Sequence, residues 1–140
     1  MVGYPKNGAE GRLVITKERF AEGLTLQEYL DQMRMNRDRF VRAFDAARSD
    51  DTRALERLGH AVKLLVITED WCGTSLAYFP AVAKLVANRP DIEMRIFLRD
   101  ENPDVMDEFL KRGLYRSIPV FAFFDDDMNE LARFIEQPLA

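Results

Sequence analysis

Cysteine and histidine are nearly absent from this 140-residue chain, which has one of each, Cys72 and His60. A single cysteine excludes an internal disulfide, and one cysteine with one histidine cannot supply the ligands of a structural zinc site. No apolar run approaches the roughly 18 residues of a membrane-spanning helix, and no charged-then-apolar leader opens the chain. We therefore predict a cytoplasmic protein with no metal, no cofactor and no membrane segment.

The charged residues are mixed in sign along the chain. There are 20 lysines and arginines against 24 aspartates and glutamates, which gives a formal net charge of −4. Between residues 34 and 57 the arginines alternate with acidic residues, as on a solvated helical face. No stretch has the single-sign basic character that displaces counterions from a nucleic acid. We therefore predict that the protein does not bind nucleic acid.

Apolar side chains, in contrast, are abundant. Hydrophobic residues make up 47% of the chain, which is enough for one compact unit with a buried core. Residues 1–60 are predicted to form a tail and a helical extension. Thr25 with Glu28 is a capping box that starts one helix. Asn36 is the predicted cap of the next helix, and a third helix is predicted over 49–58.

The hydrophobic period changes after residue 60, and residues 61–140 are predicted to form an α/β domain. A helix starting at Cys72 is predicted between the first two strands. A second helix is predicted to start at Asn102 and to end at Gly113, where a glycine is typical of a helix terminus. The predicted strands are 61–68, 92–98, 119–124 and 130–135.

The stretch "EDWCGTS", which begins at Glu69, follows the first strand directly. A cysteine in the first turn of a helix faces unpaired backbone N–H groups and the positive end of the helix dipole, both of which favour the thiolate. Ser75, one turn after Cys72, is predicted to donate its hydroxyl proton to that thiolate. Glu69 and Asp70 act in the opposite direction, because a nearby like charge disfavours an anion. We expect a modest preference for the thiolate.

From the first strand onward, the chain resembles the thioredoxin superfamily. "WCGTS" lies where that family has Trp-Cys-Gly-Pro-Cys, Pro80 matches a proline in the following helix, and "RSIPVFAFF" resembles the loop that contains a cis proline, here Pro119. With "LRDENPDVMDEF", these stretches resemble a divergent bacterial branch with a helical N-terminal extension. The resemblance implies a thioredoxin-like fold, with a central mixed four-stranded sheet flanked by helices.

The resemblance also implies roles for individual residues. Cys72 would be the nucleophile and Ser75 would support it, while the substrate would contact Trp71, Gly73, Thr74, Ile118 and Pro119. Two departures limit what this site could do: Ser75 replaces the resolving cysteine, and Val66 replaces a buried acid that accepts a proton. The sequence ends at Ala140, where the family has a last helix, so either the chain continues or the extension replaces that helix.

Three hypotheses follow for the function. In the first, Cys72 exchanges disulfides with protein or low-molecular-weight thiols, and an external thiol resolves the mixed disulfide because no second cysteine is present. In the second, the protein is a non-catalytic module that binds an extended peptide beside Pro119, and Cys72 is a relic. In the third, the apolar stripes of the N-terminal helices pair with another copy to form a homodimer.

Overall fold

The computed structural model describes residues 15–48, 56–59 and 61–136. Most of the helix predicted over 49–58 lies outside these ranges, as does His60. The elements in chain order are α1 (Lys17–Ala21), α2 (Leu26–Gln32), α3 (Arg37–Ala46), β1 (Val62–Thr68), α4 (Gly73–Ala87), β2 (Ile92–Leu98), α5 (Pro103–Met106), β3 (Val120–Phe124) and β4 (Glu130–Ile135). Within the described ranges, no helix has the length and apolar character needed to cross a membrane.

The four strands form one mixed sheet in the order β2-β1-β3-β4. β1 runs parallel to β2 and antiparallel to β3, and β3 and β4 form an antiparallel hairpin. Residues 64–67 of β1 are all apolar and fully buried, because both faces of the strand are covered there. Leu64 and Val66 enter the core on one side of the sheet, whereas Leu65 and Ile67 enter the core on the other. The predicted thioredoxin-like α/β architecture is therefore confirmed.

Helices α2 and α3 complete the core on one side of the sheet, whereas Phe20 of α1 enters the core on the other side. Tyr29 of α2 and Phe40 of α3 are both buried, with ring centroids 5.6 Å and 5.4 Å from that of Phe79 in α4. The two rings also contact each other in an edge-on geometry, with centroids 6.0 Å apart. The apolar stripes of α2 and α3 thus bury these rings within their own chain. The homodimer itself stays a prediction.

The residues before α2 lie along the outer edge of β2. The N–H of Leu24 donates to the carbonyl of Ile96 at 2.7 Å, and the N–H of Ile96 donates back at 2.8 Å. The guanidinium of Arg95 also donates to the carbonyl of Gly23 at 3.2 Å. A side chain at Gly23 would place its Cβ 2.7 Å from the Phe97 ring, so this close approach requires glycine. The extension is therefore hydrogen-bonded to the sheet as well as packed on it.

The helix starts in the extension were predicted with mixed success. The capping box of Thr25 and Glu28 is present at the start of α2, as predicted. Asn36 does precede α3, but it has a left-handed φ of 63° and its side chain does not cap the helix. Its Nδ2 donates instead to the backbone carbonyl of Asp70 at 2.9 Å. The prediction of a side-chain cap is wrong because a capping residue has extended backbone angles, whereas the backbone of Asn36 is left-handed.

The helix predicted to run from Asn102 to Gly113 is shorter than expected. α5 is a single turn after Pro103, and a 3₁₀ turn continues it only to Phe109, because Leu110 has extended backbone angles. The Asn102 side chain donates to the Leu98 carbonyl and does not cap α5. Gly113 has a φ of 71° and lies in the turn after this helical segment. Phe109, at the end of this segment, is buried.

Candidate active site

Cys72 is the N-cap residue of α4, at the point where the loop after β1 becomes the helix. Its sulfur accepts a hydrogen bond from the backbone N–H of Ser75, with an S···N distance of 3.5 Å. The thiol lies 3.9 Å from the carbonyl oxygen of Ile118, to which it can donate. The side chain is half-buried. The sulfur is thus held at the positive end of a 15-residue helix, beside the loop that precedes β3.

Ser75 acts differently from the sequence prediction. Its backbone N–H, and not its hydroxyl, contacts the sulfur. The side chain is only 3% exposed, and its Oγ has no hydrogen-bond partner among the described residues. It lines a narrow cleft beneath the active-site loop together with Tyr29, Phe40 and Phe79. The predicted hydroxyl bond is absent because the Ser75 side chain lies in this cleft, whose other lining residues are mostly apolar and also include Glu69 and Asp70.

The loop before β3 supplies the other wall of the site. The Ile118–Pro119 peptide bond is cis, as the resemblance implies. Both residues are buried, and the Pro119 carbonyl accepts a hydrogen bond from the N–H of Glu136 at 2.7 Å. The carbonyl of Ile118 is the group that meets the Cys72 thiol. The structure therefore brings the predicted loop and the predicted cysteine together.

Trp71 stands at the exposed rim of the site. Its side chain is 47% exposed, and the guanidinium of Arg99 stacks on its ring at 4.9 Å from the centroid. Arg99 also donates to the backbone carbonyl of Arg116 at 3.3 Å, in the segment just before Ile118. Sequence reasoning missed Arg99. The available signal was its position directly after β2, because the carboxyl ends of neighbouring parallel strands meet at one edge of a sheet.

Gly73 and Thr74 form the first turn of α4, and both are exposed. A Cβ added at Gly73 would meet no other atom within 4 Å, so the backbone there is open to an incoming molecule. The predicted substrate-contacting residues thus lie on two segments that meet at the sulfur: the start of α4 with Trp71, and the Ile118–Pro119 loop. Their roles in contacting a substrate stay predictions.

The two acidic residues before Trp71 are both hydrogen-bonded to neighbouring backbone. The Glu69 carboxylate accepts the N–H of Asp100 at 2.9 Å, and burial raises the pKa of Glu69. The Asp70 carboxylate accepts the N–H groups of Arg34 and Met35, at 2.8 and 3.2 Å. These bonds hold both ends of the active-site loop, one to the end of β2 and one to the extension.

The position in β1 where the resembled family has a proton-accepting acid is occupied here by an apolar residue. Val66 is fully buried in β1. Burial raises the pKa of Tyr29 to about 12, so the phenol is neutral at pH 7 and cannot serve as a base. No cluster of potential metal ligands occurs in the part of the chain that the structure describes.

Comparison with known proteins agrees with the fold and identifies the family. The profile of a family described as Thioredoxin matches residues 23–140 and so includes α2 and α3. An HIV epitope-scaffold is similar in structure (TM-score 0.70, 24% identity), over 88% of this chain and 78% of its own. A Pseudomonas aeruginosa protein of unknown function is similar to the same degree (TM-score 0.70, 22% identity), over 89% of this chain and 78% of its own. Thioredoxin from Fasciola hepatica matches with a TM-score of 0.45 and 20% identity, over 59% of this chain and 75% of its own. No curated protein has significant sequence similarity to the chain.

Proposed function

Because the chain belongs to the thioredoxin family, we propose that it exchanges thiols and disulfides through a single sulfur, that of Cys72. The observation that carries this proposal is the hydrogen bond from the Ser75 N–H to the sulfur at the N-terminus of α4. A hydrogen bond from a backbone N–H is stronger when its acceptor is an anion. The contact therefore stabilises the thiolate, which is the nucleophile in disulfide exchange.

The exchange requires two steps with different attacking sulfurs. In the first step, the Cys72 thiolate donates an electron pair to one sulfur of a substrate disulfide. That disulfide bond breaks, and the other substrate sulfur leaves as a thiolate that takes a proton from water. In the second step, an external thiolate attacks the mixed disulfide and Cys72 leaves as a thiolate. The external thiol is necessary because Ser75 offers no second sulfur.

The surroundings of the sulfur fit a substrate that enters from the rim. Trp71 is exposed beside it, and the open backbone at Gly73 leaves room above the first turn of α4. The carbonyl of Ile118 marks the side on which an extended substrate would lie. Exchange of this kind also suits a reducing compartment such as the cytoplasm, where external thiols are abundant.

A second candidate function is a non-catalytic module that binds a peptide at the same rim. One observation favours it: Trp71 is held in place by Arg99 stacking, which does not involve the sulfur. In the turn before Ile118, Leu114 and Tyr115 are also exposed, and they offer apolar contacts to a peptide. Binding without chemistry would leave Cys72 with the reactivity of an ordinary thiol.

The test measures the rate at which Cys72 reacts with a small aromatic disulfide at pH 7. The absorbance of the coloured thiol that this reaction releases monitors its progress. The folded protein should react several-fold faster than the same chain in denaturant, and mass spectrometry should find one mixed disulfide per chain. Cys72→Ala should give no adduct. The protein should not reduce insulin catalytically with dithiothreitol above the rate of dithiothreitol alone. If the folded and denatured chains react at equal rates, the binding module becomes the better hypothesis.

Ser75→Cys is the matched gain-of-function variant. It places a second sulfur one turn along α4, at the position from which a resolving cysteine attacks. We expect it to form an intramolecular disulfide and to gain measurable insulin reduction, with a rate limited by the apolar Val66. If mild oxidation forms no disulfide between Cys72 and the introduced cysteine, that result would contradict the loop geometry on which the proposal depends.

A further inference from the structure

A groove lies between α3 and α4, directly beside the active-site loop. Its open volume is about 480 Å³, which is within the range of small-molecule sites. Trp71 and Gly73, the two neighbours of Cys72 in sequence, both line it. The other lining residues are Asn36, Arg39, Arg42, Ala43, Leu76 and Ala77. Cys72 itself does not line the groove, and its sulfur faces Ile118, so a molecule bonded to the sulfur would reach the groove across the exposed Gly73.

The groove has two guanidinium groups without acidic partners among the described residues. Within those ranges, Arg39 and Arg42 contact no carboxylate, and Arg39 donates only a long hydrogen bond to Asn36 Oδ1 at 3.5 Å. Elsewhere in the described part of the chain, seven arginines contact carboxylates: Arg19, Arg37, Arg89, Arg95, Arg99, Arg116 and Arg133. The pair in the groove is therefore available for an anion brought by a ligand.

No acidic group that the structure describes forms an ion pair with either guanidinium. Asp38 and Asp45 have helical spacing to Arg42, yet neither forms an ion pair with it. The carboxylate of Asp70 accepts the N–H groups of Arg34 and Met35. Asn36 is also fixed, because its amide donates to the backbone of Asp70. The groove thus combines a rigid polar wall, two cations and the positive end of α4.

From this juxtaposition we propose that the groove binds the carboxylates of an acidic low-molecular-weight thiol while its sulfur is bonded to Cys72. This proposal rests on the proposed exchange function and names its substrate class: mixed disulfides between a protein and a small acidic thiol. The Cys72 thiolate attacks the sulfur of the small thiol, and the protein sulfur leaves as a thiolate. A second molecule of the small thiol, as its thiolate, then attacks the sulfur of the small thiol that is bonded to Cys72. It forms a symmetric small disulfide and releases the Cys72 thiolate.

The test compares two small disulfides of different charge, oxidised glutathione and the neutral hydroxyethyl disulfide. The variant is the double substitution Arg39→Gln, Arg42→Gln, in which both side chains are exposed and the fold should persist. Two exposed ionic contacts together correspond to about a 2- to 30-fold effect on rate. We expect that loss with oxidised glutathione and no change with hydroxyethyl disulfide. Arg37→Gln is the control, because Arg37 is on the same helix but does not line the groove.

Each contrary result identifies a different failure. An equal loss with both disulfides would mean that the arginines act on the thiolate and not on a ligand, which would overturn the proposal. An equal loss in Arg37→Gln would mean that any positive charge on α3 has this effect, wherever it lies. That result would also overturn the proposal. If the wild-type protein reacts with neither disulfide, the exchange function fails. The groove is then tested by S-methylglutathione, which should shift the amide resonances of Ala43, Gly73 and Ala77, and the absence of shifts would refute it.

Discussion

Ser75→Ala separates the two roles that the serine could have at the active site. The Ser75 hydroxyl is buried without a partner among the described residues, whereas its backbone N–H contacts the Cys72 sulfur. Leaving a buried hydroxyl unpaired costs about 1–3 kcal/mol. Alanine also favours a helix by up to about 0.5 kcal/mol over serine. Against these gains, removal of one oxygen leaves a small void that costs about 1 kcal/mol or less.

The net expectation is that Ser75→Ala raises the free energy of unfolding by about 1 kcal/mol, or the Tm by about 3 °C for a chain of this size. Urea unfolding followed by Trp71 fluorescence measures the change, and the midpoint should rise with an unaltered slope. Thr74→Ala is the matched control, because it changes helix propensity at the exposed neighbouring position. The gain at residue 75 should exceed the gain at residue 74.

The same variant tests the source of thiolate stabilisation. Because alanine keeps the backbone N–H, the rate of Cys72 alkylation by iodoacetamide at pH 7 should stay within about twofold of wild type. A tenfold slower alkylation, or a loss of stability of about 1 kcal/mol or more, would show that the hydroxyl is bonded to the sulfur in solution. Either result would refute the arrangement described for Ser75.

Two further predictions concern stability away from the sulfur. Gly23→Ala should lower the free energy of unfolding in urea by about 1–3 kcal/mol, because its Cβ would lie 2.7 Å from the Phe97 ring. Gly73→Ala is the control and should change this free energy little, because a Cβ there would meet no atom within 4 Å. Equal effects of the two substitutions would contradict this packing. Burial raises the pKa of Glu69 in the folded protein above its ordinary 4.5, so folding favours the protonated carboxyl. This contribution to stability is present below the unfolded-state pKa and is lost as the pH rises through the folded-state pKa. Glu69→Gln imitates the protonated form and can still accept the Asp100 N–H. Its stability relative to wild type, measured in urea at pH 4 and pH 7, should therefore be greater at pH 7; a pH-independent difference would be the contrary result.

The parts of the fold that could be predicted are those with a local signal. The bounds of β2 and β4 follow from short apolar runs between polar turns, and the start of α4 follows from the position of Cys72 after a buried strand. The capping box at Thr25 is local too, since both of its partners lie within one turn. Such features require no knowledge of distant residues.

The features that the sequence did not reveal depend on contacts between distant segments. Asn36 has the chemistry of a helix cap, but its amide bonds to Asp70, 34 residues away. Arg99 reaches Trp71 only because β1 and β2 end at the same edge of the sheet. Ser75 is close enough to Cys72 to suggest a hydroxyl bond, yet the side chain lies in a cleft formed partly by Tyr29. Spacing along the chain cannot show which of two available partners a polar group will take.

The bridge between Leu24 and Ile96 has a consequence for association between molecules. A strand at the border of a sheet presents unpaired N–H and C=O groups that can recruit a strand from another chain, which is a common route to aggregation. In this protein the segment before α2 occupies part of that border on β2. A fragment beginning at residue 61 would keep all four strands but would expose β2 to intermolecular pairing. The extension therefore covers part of one edge of the sheet against intermolecular pairing, in addition to filling the core.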